Sequence, residues 1–425
     1  MGAFEKRMLK KSEQKIEHFK QVWHDPLSDF SDNQWYFYQA RHTVFFTAFA
    51  KDKICKENLI DLAKTLVSLA PQLCTGYSNV GDGNDFPRQI LEKICSIKTV
   101  KDLDGYPNKW DVEGKEMFSS SGLPLFRVKA VVRENGADAD GRKAMIMVLS
   151  THSLMEGADA ALISQSKKSF NKKPDEEENK LSFFTRAHYK ITSAIIAPLQ
   201  IIAAEISVSK NYDVTNKSFI VEHKKLRRVA KSLNISRRAL MFSLVAFALN
   251  IGGRGFSKKA ISIVYADMDT VRDYKINSDF FKFHTMDCKF KVTKDFAKFA
   301  QNAAKTLTNV ESNNPDKSQN FLDALFAAHR FYKKHFPFLY SDKTFRFSAG
   351  YHLNLSLTPP QRLNGDFTKG LSEPIYCGAY NPGLNICVFV PGRTATSFNF
   401  AMAKHHIDNV DKVETLLDEL DKAIK

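Results

Sequence analysis

The residues best suited to chemistry lie in one short stretch, Ser150-Thr151-His152-Ser153-Leu154-Met155-Glu156-Gly157-Ala158-Asp159. It follows directly on Lys143-Ala144-Met145-Ile146-Met147-Val148-Leu149, which reads as a buried strand, and leads into a helix-like run, Ala160-Ala161-Leu162-Ile163. A histidine therefore stands where a strand ends, with a carboxylate four residues on and a glycine just after it. A rigid strand fixes an imidazole while a loop exposes it, so the pattern suits a general base. It equally suits a polar strand end followed by a turn glycine, and spacing alone leaves both readings open. Of the other histidines, His352 sits on an alternating strand, Tyr351 to Leu357, and faces either core or channel. His405 and His406 follow a strand near Lys404 and cap it or face solvent. Neither set has a metal-ligand partner at a suitable spacing, so no metal site is expected.

The elements around this stretch must hold it. Leu123-Pro124-Leu125-Phe126-Arg127-Val128 opens a strand, and the turn Asn135 to Gly141 joins it to the strand at 144–149. That pair reads as a hairpin feeding the histidine loop. Upstream, residues 1–24 have the pattern of a charged amphipathic helix, stopped by Asp25-Pro26 because the residue before proline avoids the helical region. Val44 to Phe49 is strand-like, Lys56 to Ala70 has helical spacing, and charged, turn-rich sequence fills 76–115. Asn171 to Lys180 is charged, contains a proline and lacks apolar periodicity, as expected of an exposed linker. An apolar helix at 183–208 follows it, interrupted by Pro198.

The second half then restarts. A basic helix runs through Leu226 and Leu233, a second helix spans Ala239 to Asn250, and Ile261 to Tyr265 is a strand. The glycines between them, Gly252, Gly253 and Gly255, do not follow a strand, which argues against a phosphate cradle. Another strand, Asp287 to Val292, leads into a helical stretch over 293–335. A hairpin is expected around Pro391-Gly392, and the chain closes on an amphipathic helix. These patterns divide the chain into a first lobe at 1–170, a linker and crossover helix at 171–215, and a second lobe at 216–425, each lobe mixing strands and helices.

Composition bounds the class. With 425 residues and 43% hydrophobic content, the chain has ample material for a core of two domains or one large pseudo-symmetric unit. A net charge of +15 favours an anionic partner: a phosphate-rich cofactor, a membrane surface or nucleic acid. The basic residues are spread out, with no aromatic-and-basic motif and no helix-turn-helix pattern, so nucleic acid is not expected. Six cysteines in so long a chain, none at metal-ligand spacing, are not a disulfide framework, which points to a reducing cytoplasm. No segment has the length of a membrane span, so any membrane contact is expected to be peripheral.

Several of these pieces together resemble a known family. Thr151-His152-Ser153-Leu154-Met155-Glu156-Gly157 resembles the His-His-x-x-x-Asp-Gly motif of the wax ester synthase/diacylglycerol acyltransferase family, which condensation domains and other CoA-dependent acyltransferases share. Pro124-Leu125-Phe126 resembles that family's Pro-Leu-Trp element, and Leu27-Ser28-Asp29-Phe30 its opening segment. Asn354 to Pro360, then Tyr380 to Ile386, resemble its Asn-x-Pro-Gly-Pro and Gly-Leu-Asn-Ile elements in order. The chain departs from the pattern at Thr151, where the family has its first histidine, and at Glu156, where it has aspartate. The family pairs that carboxylate with an arginine, and the early stretch Ala70 to Thr75 carries none.

The resemblance implies an α/β fold of mixed sheets in two pseudo-symmetric, chloramphenicol-acetyltransferase-like lobes with a tunnel between them. It implies His152 as general base, with Thr151, Glu156, Gly157 and Asn354 supporting the motif and Pro124, Leu125 and Phe126 binding substrate. The implied activity is transfer of a fatty acyl group from acyl-CoA to an alcohol or diacylglycerol hydroxyl. Acyl-CoA then serves as co-substrate, with no tightly bound cofactor. The implied location is cytoplasmic, peripheral to an anionic membrane surface or lipid droplet. Two alternatives stay open: a catalytically drifted lipid- or protein-binding member of the same fold, and acyl transfer to a non-lipid hydroxyl or amine.

Overall fold

The computed structural model describes residues 30–74, 88–104, 123–155, 159, 182–207, 214–250, 260–267, 284–312, 316–340, 353–361, 363, 370–380 and 385–424. The expected helix at 1–24, the run Ala160 to Ile163 and the linker at 171–180 lie outside the described residues.

Each half builds one mixed sheet. The first contains β1 (Thr43–Ala50), β2 (Cys95–Val100), β3 (Phe126–Arg133), β4 (Ala144–Thr151) and β9 (Leu371–Tyr380), in the order β2-β3-β4-β1-β9. The second contains β5 (Val214–Glu222), β6 (Ala260–Asp267), β7 (His284–Lys291), β8 (Leu353–Leu357), β10 (Asn385–Pro391) and β11 (Ala395–Ala403), in the order β5-β11-β10-β8-β6-β7. β3 and β4 are antiparallel, as the hairpin reading expects. β1 and β4 are buried at every position, which explains why both read as continuous apolar runs.

One strand crosses between the halves. β9 comes from late in the chain, yet it pairs antiparallel with β1 in the first sheet while packing against β10 and β11 of the second. Gly378 makes this possible, because a Cβ there would collide with the ring of Phe45. The charged stretch at 76–115 also holds more structure than its composition suggests: helix Arg88–Ile94 and the edge strand β2, mostly exposed.

Helices cover both sheets. The first core packs Leu59, Leu66 and Leu91 against the strand residues Phe46, Val128 and Val148. The second packs helices His223–Ser232, Arg237–Leu249 and Asp411–Ile424 against Phe389, Phe398 and Phe400. A third cluster, including Phe45, Met147, Tyr376, Val214 and Ala401, draws on strands of both halves.

Three further helices matter for the site: α1 (Asp32–Gln39), α2 (Phe183–Ser207) and α3 (Asp316–His335). The helical stretch expected over 293–335 is two helices, Phe296–Ser312 and α3. Among the described residues no single helix is long and apolar enough to cross a bilayer.

Candidate active site

The histidine loop is pinned by backbone groups from two distant segments. The amide of His152 donates to the His42 carbonyl at 2.7 Å, and the amide of Thr151 to the Leu125 carbonyl at 3.0 Å. Thr151 Oγ1 donates to the same His42 carbonyl at 3.3 Å and lies 3.2 Å from Ser153 Oγ. Ser150 Oγ donates to the Leu125 carbonyl at 3.3 Å. From α1, Gln34 Nε2 donates to the Ser153 carbonyl at 3.0 Å. Gln34 also closes a capping box with Ser31, so the residue that helps start α1 ties that helix to the loop.

The ring of His152 is enclosed by aromatics. Phe37 of α1 stacks on it with centroids 4.6 Å apart and planes 24° from parallel. His42 meets it edge-on at 4.5 Å and 83°. Phe326 of α3 packs edge-on against Phe37 at 5.7 Å, so a residue of the second half completes the cover. His152 is 8% exposed, and burial lowers its pKa to about 4, although backbone groups of His152 and Met155 act in the opposite direction. The imidazole is therefore neutral at neutral pH, the form that accepts a proton.

His42 is the partner that sequence reasoning missed. Among the described residues neither of its ring nitrogens has a hydrogen-bond partner. Burial first, and the neighbouring charge of His152 second, hold its pKa well below the usual value. Its placement follows from register, since Thr43 of β1 sits opposite Thr151 of β4. The residue before one strand and the residue after the other then meet at the same sheet end. Arg41, in the left-handed region at φ 52°, makes the turn that delivers His42 there. The available signal was a second histidine directly adjoining a buried strand.

The other expected site residues fall as follows. Pro124, Leu125 and Phe126 are buried, and the Leu125 carbonyl takes two hydrogen bonds from the motif, while the Phe126 side chain lies in the first core. Arg127 is buried and donates from Nη1 to the carbonyls of Pro124 and Phe126 at 2.5 and 2.8 Å. It puts a guanidinium on the strand beside β4, opposite Leu149. Asn354 is half-buried on β8, opposite Ile386 and Val264. Among the described residues no hydrogen bond joins Asn354 to the histidine loop. Glu156, Gly157 and His352 lie outside the described residues.

Among the described residues no group of three His, Cys, Asp or Glu side chains is placed to hold a metal ion. A cavity of about 300 Å³ opens beside Ala50, Asp52, Asp61 and Gly370. It lies at the far end of β1 from His42, roughly 23 Å along the strand, and has no part in the histidine site.

No protein-family model matches the sequence, and no curated protein sequence matches it. Solved structures do. A wax ester synthase/diacylglycerol acyltransferase from Marinobacter aquaeolei VT8 is 12% identical, with a TM-score of 0.53 over 93% of this chain and 99% of that one. Polyketide synthase associated protein 5 from Mycobacterium tuberculosis is 13% identical, with a TM-score of 0.55 over 93% and 98%. The TRI3 trichothecene 15-O-acetyltransferase from Fusarium sporotrichioides is 11% identical, with a TM-score of 0.54 over 93% and 94%. With two mixed sheets, a strand passed from one to the other and this overlap over nearly full lengths, the chain shares the two-lobed fold of these three structures.

Proposed function

We propose that the chain is an acyltransferase that moves an acyl group from a thioester to a hydroxyl acceptor, with His152 as general base. The observation that carries this reading is the neutral imidazole held at the end of β4 by the backbone of His42. A thioester is already activated, so the protein needs a base, hydrogen bonds for a tetrahedral oxyanion and alignment of two substrates. As the acceptor oxygen bonds to the carbonyl carbon, its proton passes to His152. Collapse of the tetrahedral intermediate breaks the carbon–sulfur bond, and the proton moves on to the departing thiolate. Asn354 is the polar side chain proposed to assist from the second sheet, and Glu156 and Gly157 to support the loop. The donor we favour is a fatty acyl-CoA and the acceptor an alcohol or diacylglycerol. The free CoA phosphates and anionic lipid headgroups both complement a net charge of +15.

A second reading, a drifted lipid- or protein-binding member, draws on the Phe37 ring stacked over His152. One assay separates the two. Purified protein with acyl-CoA and a panel of alcohols should release free CoA thiol, and His152→Ala should abolish release while circular dichroism shows an intact fold. Equally slow release from wild type and variant removes the catalytic reading.

A further inference from the structure

His42 is a buried imidazole with no part in the chemistry proposed for His152. It is 6% exposed, and among the described residues neither ring nitrogen has a hydrogen-bond partner. A hydrocarbon ring of the same shape would fill the space without leaving two polar atoms unbonded, so packing alone does not account for a histidine here. Its backbone already serves the site, since the His42 carbonyl accepts from the His152 amide and from Thr151 Oγ1. Its ring centroid lies 4.5 Å from that of His152 and 5.2 Å from that of Phe37, while Phe37 stacks on His152 at 4.6 Å. Three nearly equal separations set His42 beside the stacked pair rather than across His152 from Phe37. The N–H bonds of an imidazolium leave the ring by its edge, and His42 stands beside that edge.

The cover over these rings is braced from outside. Arg330 of α3 donates to the Phe30 carbonyl at 2.7 Å and to Asp32 at 3.0 Å, and Asn33 of α1 donates to Asp323 of α3 at 2.9 Å. His329 Nε2 of α3 donates to Gln200 Oε1 of α2 at 2.9 Å. A positive charge formed on His152 beneath this cover is costly unless neighbouring groups meet it. Backbone groups of His152 and Met155 favour the charge, and burial outweighs them. We propose that His42 is a positioning residue for the base: when His152 takes the acceptor's proton, a ring nitrogen of His42 accepts a hydrogen bond from the imidazolium and holds it until the proton passes to the thiolate. Centroids 4.5 Å apart bring nitrogens of the two rings within hydrogen-bonding distance once the rings turn about their Cβ–Cγ bonds. The neutral state that His42 needs as an acceptor is set by burial first and by the neighbouring His152 second. His42 then holds for this base the place that a buried carboxylate holds in a Ser-His-Asp triad, without bringing a charge of its own. This role rests on His152 being the base.

The test measures CoA thiol release from acyl-CoA with a panel of alcohols, and melting curves, on the full chain as wild type, His152→Ala, His42→Phe and His42→Gln. His42→Phe should lower kcat at least about ten-fold, with KM for acyl-CoA unchanged and the melting temperature equal or higher. His42→Gln, whose amide oxygen accepts the same hydrogen bond, should retain more kcat than His42→Phe although it packs less well. A role in packing alone gives the reverse order. Release that needs His152 yet keeps full kcat in His42→Phe overturns the role of His42 and leaves the base standing, and so does a kcat for His42→Phe that equals or exceeds that of His42→Gln. A marked fall in the melting temperature of His42→Phe assigns the ring to packing and likewise overturns it. Release that does not need His152, or none from wild type, overturns the base itself and this role with it.

Discussion

The state of His152 gives a prediction with a definite size. An ordinary histidine titrates near 6.5, and one at about 4 is a consequence of its burial beneath Phe37 and beside His42. At pH 5 an ordinary histidine is about 3% neutral and one at about 4 is about 90% neutral, a difference of roughly 30-fold in competent base. The rate per active site should therefore hold nearly level from pH 8 to 5. Replacing Phe37 by Leu removes the stacked ring and admits water, which should raise the pKa and bring an acid limb into that range. Nuclear magnetic resonance of the imidazole carbons reads the titration without any turnover, and the pH profile of kcat/KM reads it a second way. A wild-type His152 that titrates near 6.5, or a Phe37→Leu variant with an unmoved pKa, would show that burial does not set the state of this imidazole.

The same shifts govern stability. His152 and His329 both have folded-state pKa values lowered to about 4, so between 6.5 and 4 the unfolded chain binds more protons than the native one. Stability is therefore full above pH 6.5 and falls as pH drops, by about 2 kcal/mol at pH 5 for each histidine, which denaturant titration across pH measures. Gly378→Ala should lower the melting temperature by pressing a methyl group into Phe45, an overpacking cost of about 1–3 kcal/mol. Ser31→Ala removes the cap of α1, and chemical denaturation should show a loss of about 1 kcal/mol. His42→Phe replaces two buried ring nitrogens that lack hydrogen-bond partners among the described residues, so it should keep or raise stability in thermal melts. A marked loss would mean that the imidazole makes bonds of its own.

Much of the architecture was legible from local pattern. Continuous apolar runs marked β1 and β4, alternation marked β8, and the turn at Pro391-Gly392 marked the β10–β11 pair. Helical spacing marked Lys56–Leu69 and Asp411–Ile424, whose apolar positions recur along one side. His152 stood out because it directly follows such a run. β2, β5 and β9 escaped this reading. β2 is an exposed edge strand without an apolar signature. β9 packs between two sheets, so its glycine and proline answer to neighbours far away in the chain rather than to an alternating pattern.

The sequence by itself marked the buried runs of β1 and β4, the helices at Lys56–Leu69 and Asp411–Ile424, and a histidine at the end of β4. Only the tertiary structure decided what that histidine is. The hydrogen bond from Thr151 to the His42 carbonyl spans 109 positions, and the register of β1 on β4 sets the two imidazoles face to edge. Phe37 and Phe326 reach the site from opposite ends of the chain. Desolvation by that enclosure lowers the pKa, and because it depends on everything packed around the ring, no local spacing encodes it.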